Sequence, residues 1–365
     1  MDDLPNISIV TILHNWEEFF LLFDHHWKTI DYPKDKLEWI IVDDSKKDYS
    51  SHVPLDENIL YFKVDPNEYL EKITFPKDDD KIIWNYFQRM NMLPNGFKRD
   101  YGVGMTSSDY IFHLDYDTLY QPNCIKRKLR FLKDNKLECV YCKDMLCYDI
   151  YGKELYKTEN KINGYESTLF HTKDFWKKGG FKWEDITNEA VSFYYNKGLD
   201  RKMDNYYDTI KLLSIHNLNK YKVAKLTLEN MKIKIPNIIN TLQVNDHPIK
   251  YQLDDLFNDK EINVLGINSE LIEILNKDSW NINNLSFKKN EKEKKIIKEI
   301  KSFEKMFNLC FVNTTFPIWN IFDKVSFDVI VIESQKNIDQ MISILNSKGY
   351  IQFENIHINK KYLTE

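Results

Sequence analysis

Several features that would place this chain in a specialised class are missing. Only five of its 365 residues are cysteine, too few and too unevenly spread for a disulfide framework. Cys139, Cys142 and Cys147 do fall close together. However, the stretch from Leu137 to Cys142 reads as a strand, which turns alternate side chains to opposite faces, and no fourth ligand for a structural zinc lies nearby. Free, partly buried thiols in a reducing compartment are expected. No apolar run approaches the roughly 20 residues of a membrane-spanning helix. Positive charge is not in excess: the net charge is −5, so general nucleic-acid binding is not expected. Internal repeats are absent. No signal-peptide pattern opens the chain, since Met1, Asp2 and Asp3 run directly into a strand. The expectation is a cytoplasmic globular protein with room for two domains.

What is present begins at Tyr110. The apolar strand from Tyr110 to Leu114 runs into two acids one residue apart, Asp115 and Asp117, and Pro122 stops the extended run. Two carboxylates at the end of a strand suit a divalent cation, which in turn suits a diphosphate, because Mg²⁺ binds through one or two carboxylates plus substrate phosphates. Upstream, Asn6 to Leu13 is rich in β-branched residues and reads as a buried strand. His14 and Asn15 follow, and Trp16 to Ile30 is apolar at helical spacing. Leu37 to Ser45 is a second apolar strand ending in acids, Asp43 and Asp44. Ile59 to Val64 is a third. Lys81 to Met92 and Arg99 to Ser107 are helix candidates. Strands alternating with helices imply a mostly parallel sheet covered on both faces. Ligands of such sheets bind at the carboxyl ends of the strands, where both acidic pairs fall.

These pieces, in this order, resemble a family 2 glycosyltransferase with the GT-A fold over residues 5 to about 220. The matching segments are Ser8 to Asn15 with its helix, Ile41 to Ser45, Lys98 to Gly102, Ser108 to Asp117, and Gly179-Gly180-Phe181 followed by Glu184 and Asp185. The resemblance implies an α/β fold, Rossmann-like, with a mostly parallel central sheet flanked by helices. It implies transfer of a sugar from a nucleotide-diphosphate sugar, UDP being the commonest carrier, to an acceptor hydroxyl, with Mn²⁺ or Mg²⁺ bound; inversion is the first expectation and retention stays open. The acceptor is open between a glycan, a protein hydroxyl, a lipid-linked sugar and a modified base.

Site roles follow the matching positions. Asp43 or Asp44 takes the base or ribose, since a carboxylate accepts from ring N–H and hydroxyl donors. Thr11, His14 and Tyr116 line the same nucleotide-sugar site. Arg99 faces nucleotide or diphosphate, as its planar fork matches oxyanions. Position 100 is Asp where the family often has Asn. Asp115 faces ribose or metal, Asp117 ligates the metal, and His216 is a further candidate ligand. Asp185 is the first choice for general base and Glu189 the second, with Glu184 beside them. Trp176 and Trp183 flank the Gly179-Gly180 turn and are candidate acceptor platforms, because sugars pack their C–H faces on aromatic rings.

The expected domain boundaries are 1–236 for the transferase unit, 237–260 for a linker and 261–365 for a smaller α/β domain. Ile262 to Ile267, Phe327 to Glu333 and Tyr350 to Phe353 read as strands, with helices over Ser269–Asn276 and Asn337–Ser347. The Lys288–Lys301 stretch carries Ile296, Ile297 and Ile300 at helical spacing and reads as a solvated amphipathic helix. The last two strands resemble the later strands of a Rossmann-type methyltransferase. The glycine-rich turn such an enzyme needs is missing, as Gly266 stands alone. An accessory role follows, in acceptor binding or as a homodimer contact. Alternatives to a transferase are an inactive nucleotide-sugar or glycan-binding module, and methyl transfer by the C-terminal domain.

Overall fold

In the computed structural model, the described residues of the N-terminal two thirds are 4–74, 80–142, 145–150, 153–158, 166–185, 189–195, 197, 208–213, 223–226 and 235–242. Beyond them come 253, 257, 262–267, 269, 280–285, 298, 308–312, 327–332, 345, 347, 350–353 and 356–359. The chain divides into two compact units, Met1–Asp80 with Asn91–Asn245, and Lys81–Met90 with Asp246–Glu365.

The first unit begins β1 Ile7–Leu13, α1 Phe20–Thr29, β2 Leu37–Asp43, β3 Ile59–Lys63 and α2 Pro66–Tyr69. Beyond α3 Asp80–Met90, which belongs to the second unit from Lys81 on, come α4 Asn95–Met105, β4 Tyr110–His113, β5 Thr118–Tyr120 and α5 Cys124–Asp134. The first unit continues with β6 Cys139–Val140, β7 Leu146–Asp149, β8 Glu154–Thr158, β9 Phe170–Thr172, α6 Lys173–Lys177, α7 Glu189–Tyr195, β10 Thr209–Leu213 and β11 Val223–Leu226.

One sheet has the order β3-β2-β1-β4-β9-β6. β3, β2, β1 and β4 are parallel, with Leu13 opposite Asp43 and Val10 opposite His113, while β9 and β6 pair antiparallel. β1 is buried along its whole length, as the unbroken apolar run requires of a parallel strand covered on both faces. Its core includes Phe23 of α1 stacked on Trp39 of β2 at 5.2 Å. The chain steps outward from β1 to β3, then crosses to β4 on the other side of β1. That reversal makes the carboxyl ends of β1 and β4 a topological switch point, the usual ligand position in open α/β sheets. A second sheet, β11-β8-β7-β10-β5, continues from the acidic end of β4.

Three elements differ from the sequence expectation. The helix expected over Arg99–Ser107 runs over Asn95–Met105. It starts directly after Pro94 and ends where Thr106 turns extended and donates its hydroxyl to the Val103 carbonyl at 2.7 Å. The helix expected over Trp16–Ile30 is shorter, preceded by a 3₁₀ turn at Glu17–Phe19. The strand expected from Leu137 shrinks to two residues. Cys139 sits in the first sheet and Cys147 in the second; the five cysteines are buried thiols.

The second unit holds β12 Ile262–Ile267, β13 Trp280–Leu285, β14 Leu309–Val312, β15 Val329–Ile332, β16 Tyr350–Phe353 and β17 Ile356–Asn359. Their order is β13-β12-β14-β15-β17-β16, parallel except for β17. Gly266 lies inside β12, paired with Asn284 and Phe311, and not in a turn. The helices expected over 269–276, 288–301 and 337–347 lie almost wholly outside the described residues. Among the described residues no helix is long and apolar enough to cross a membrane.

Candidate functional site

The site is organised from one turn of α4. Residues 98, 99 and 100 are spaced about 100° apart around the helix, so each reaches a different neighbour. Lys98 turns to the ends of β1 and β2, Arg99 to the end of β4, and Asp100 to the turn after α6. Lys98 and Arg99 are both buried.

At the β1 and β2 ends, Asp43 and Asp44 are fully buried. Asp43 accepts from the Ser45 N–H at 2.7 Å, the Trp16 indole at 3.2 Å and the Tyr61 hydroxyl at 2.6 Å. Asp44 accepts from Lys98 Nζ at 3.2 Å, His14 Nδ1 at 2.9 Å and the Leu93 N–H at 2.6 Å. Burial pushes the Asp44 carboxyl up, but Lys98, His14 and the Leu93 N–H outweigh it and hold it down to about 2. Asn15 adopts φ 47° and places its amide 3.2 Å from His14 Nε2. An amide nitrogen only donates, so Nε2 accepts and Nδ1 carries the proton given to Asp44.

At the β4 end, Arg99 donates from Nε to Glu189 at 2.6 Å and from a terminal nitrogen to Asp115 at 2.9 Å. Its other terminal nitrogen lies 3.3 Å from His113 Nδ1. His113 and His171 are joined through their Nε2 atoms at 3.0 Å, and His171 Nδ1 meets the Thr172 carbonyl at 2.9 Å. Arginine only donates and a carbonyl only accepts, so both rings are neutral and the chain runs one way, Arg99 to His113 to His171 to Thr172. Burial lowers both histidines, His171 to about 3, and the Arg99 charge lowers His113 further. Glu166, on the turn before β9, has a buried oxygen with no hydrogen-bond partner. Burial and the Glu189 charge push its carboxyl up, with Arg99 opposing them.

Asp115 and Asp117 flank the β4–β5 turn. Lys211 of β10 contacts Asp117 Oδ1 directly and lies 3.8 Å from Asp115 Oδ2. Burial pushes the Asp115 carboxyl up, but Arg99 and then Lys211 hold it below the usual range. Asp117 is raised by burial and by Asp115, against the pull of Lys211. Tyr116 between them packs edge-on to Phe19 at 5.8 Å. The two carboxylates are hard oxygen donors of the kind Mg²⁺ and Mn²⁺ take. Among the described residues no three His, Cys, Asp or Glu side chains converge on one point. Asp115 and Asp117 would be the ligands of a cation here among the described residues, and phosphate and water could complete its shell in the usual Mg²⁺ arrangement. His216 lies outside the described residues.

Asp100 accepts from the Trp176 indole at 2.6 Å, the Phe181 N–H at 2.9 Å and the Trp183 indole at 2.7 Å. Gly180 between them has φ 53°, and a Cβ there would meet Asp100 Oδ1 at 2.7 Å. The loop is docked on the start of α4: the Gly96 N–H donates to the Asp185 carbonyl at 2.9 Å, and Phe97 meets the Trp183 ring edge-on at 5.1 Å. Trp183 remains 40% exposed. Asp185 is partly buried and accepts from the Ser192 hydroxyl of α7. Burial raises its carboxyl, partly offset by that bond.

The residues singled out in the sequence therefore fall into three groups. Arg99, Asp115 and Glu189 form one buried cluster, joined to Asp117 through Lys211. Trp183 and Asp185 share one loop, with Trp176 on α6 just before it and Glu184 partly buried beside Asp185. Asp43, Asp44 and Thr11 are buried and bonded internally. Thr11 accepts from the Trp39 indole at 2.9 Å and donates to the Leu114 carbonyl at 2.7 Å, tying β4 to its neighbours. Sequence reasoning gave no role to Lys98, Asp100, His113 or Lys211. The one available signal was at position 100, where Asp departs from the Asn expected by resemblance.

No family model matches the chain, and no curated protein matches its sequence. Solved structures do. S. aureus TarS 1-349 in complex with UDP aligns over 69% of this chain and 66% of its own, at 13% identity and a TM-score of 0.35. Its complex with UDP-GlcNAc aligns over 69% and 67%, at 13% identity and 0.36. The mannosyltransferase PcManGT from Pyrobaculum calidifontis, in complex with GDP-Man and Mn²⁺, aligns over 59% and 60%, at 12% identity and 0.36. The matched region spans about two thirds of these neighbours' length or less. A likeness of this size carries no argument about function.

Proposed function

We propose that this chain is a GT-A glycosyltransferase that moves a sugar from a nucleotide-diphosphate sugar, with UDP the first nucleotide to test, to an acceptor hydroxyl. One observation carries this reading. The reversal of strand order between β1 and β4 lies where the Asp115–Asp117 pair, Arg99 and the Asp185 loop are gathered by a single helix. An acidic strand end beside cationic side chains at a switch point suits a diphosphate held through a cation.

Asp185 acts as the general base. Its raised carboxyl suits proton uptake, whereas Glu189 is committed to Arg99. The acceptor oxygen loses its proton to Asp185 and attacks the anomeric carbon. The bond to the diphosphate breaks on the opposite face, and the electron pair leaves with it, inverting the centre. Asp115 and Asp117 would hold Mn²⁺ or Mg²⁺, which would supply Lewis-acid stabilisation of the departing charge. Arg99 positions Asp115. The exposed Trp183 face receives the acceptor sugar, with Trp176 behind the same turn. Asp44 with His14, or Asp43, borders the nucleotide; a base or ribose reaches either acid by exchanging a protein donor for its own. The protein acts in the cytoplasm on a glycan, protein or lipid-linked acceptor.

The test is release of nucleoside diphosphate from UDP-, GDP- and dTDP-sugars. Turnover with one donor that falls on the order of a hundredfold or more in Asp185→Asn supports the reading. A second reading, an inactive nucleotide-sugar-binding module, is favoured by the engagement of the Asp185 carboxylate by the Ser192 hydroxyl. It is distinguished by nucleotide binding without turnover.

A further inference from the structure

We propose that Lys211 is a resident cation of the Asp115–Asp117 pair, one that a divalent metal must displace in order to bind. The inference deepens the proposed function and rests on it for the identity of the ligand.

The placement follows from register. β10 pairs antiparallel with β5, with Thr209 opposite Tyr120, Ile210 opposite Leu119 and Lys211 opposite Thr118. The Leu212 N–H continues the ladder to the Asp117 carbonyl at 2.9 Å. Ile210 and Leu212 are buried in the core. Alternation along the strand turns Lys211 to the other face, one residue from Asp117. There its ammonium contacts Asp117 and comes within 3.8 Å of Asp115. The side chains of Lys211, Asp117 and Asp115 are only 20%, 21% and 14% exposed, so salt screens this contact weakly.

Arg99 does not neutralise the pair by itself, because Glu189 shares it. An ammonium against one acid and near the other fills the space between them that a bridging metal would take. The two cations therefore compete. Lysine has a flexible four-carbon stem, so the displaced ammonium can follow the metal's partner, the diphosphate, and pair with its oxygens. Metal and diphosphate then favour each other's binding, and by linkage each tightens the other equally.

The test is a Mn²⁺ titration of the full chain, read as the electron paramagnetic resonance signal of free Mn²⁺, for wild type, Lys211→Met and Lys211→Gln. Circular dichroism checks that each is folded, and the Gln variant serves if the Met variant is not. The expected result is Mn²⁺ affinity at least tenfold higher in the variant, abolished by adding Asp117→Asn. UDP should tighten Mn²⁺ binding more in wild type than in the variant. Equal or weaker Mn²⁺ affinity in the variants, or none in any protein, overturns the inference. The broader transferase reading is judged apart, by binding of UDP or GDP in EDTA and by donor turnover.

Discussion

Asp100 and Trp183 are joined at 2.7 Å through one carboxylate oxygen, while the other oxygen takes the Trp176 indole and the Phe181 N–H. All three partners only donate, so the position demands a group that only accepts. Asn would turn an NH₂ toward one indole N–H. Asp100→Asn is expected to lower stability by about 0.5–1.5 kcal/mol, the net worth of the one exposed hydrogen bond to Trp183 that it gives up. It should also red-shift tryptophan emission as Trp183 loosens. An unchanged melting temperature and spectrum would contradict this role.

Two glycines of α4 give a paired prediction. A Cβ on Gly96 would lie 1.9 Å from the Lys182 carbonyl, whereas nothing lies within 4 Å of one on Gly104. Gly96→Ala is expected to undock the loop bearing Trp183 and Asp185 and to abolish transfer. Gly104→Ala should stabilise by about 0.5–1 kcal/mol, the helix preference of alanine. Thermal melts of both variants decide it.

Acid should destabilise the protein in two windows. His26 and His171 are lowered by burial to about 3. Their unfolded value is about 6.5, so the unfolded chain takes up protons first. Their contribution is full above about 6.5 and is lost as pH falls toward 3. Asp44, held at about 2, contributes fully above its unfolded value of about 4 and loses that contribution as pH falls toward 2. Each group adds a slope of about 1.4 kcal/mol per pH unit within its window. His26→Phe should flatten denaturant-derived stability between pH 6 and 4 by that amount. An unchanged slope would contradict the neutral, buried state.

Lys98→Met tests the other window. It leaves the Asp44 carboxylate buried without its ammonium, a loss of about 3–5 kcal/mol at pH 7. Its cost should shrink toward pH 2, where Asp44 is protonated. A constant cost across that range would mean that Lys98 acts through packing alone.

The order of strands and the acidic ends were legible because local apolar runs and following acids report them directly. Residues joined across the chain were not. Lys211 meets Asp117 from 94 positions away, and only the β10–β5 register brings them together. In the sequence Arg99 reads as facing a phosphate because its charge is visible and its partners are not; Glu189, its closest, is 90 positions on. Asp43 and Asp44 were read as ligand-facing from their place at a strand end. Their burial depends on Tyr61, Trp16, Lys98 and Leu93, which no local pattern links to them. Helix α4 starts four residues before the expected Arg99 because Pro94 sets its first turn.

The most direct test of the central claim is a thermal shift with UDP, GDP, dTDP and S-adenosylmethionine, each with and without Mn²⁺, on wild type and Asp117→Ala. Ligand at a hundredfold excess over its dissociation constant should add about 2.7 kcal/mol of stability. The expected result is stabilisation by one nucleoside diphosphate, enhanced by Mn²⁺ and lost in Asp117→Ala. Stabilisation by none of the diphosphates, or by one indifferent to Asp117, would contradict a donor site at the carboxyl end of β4.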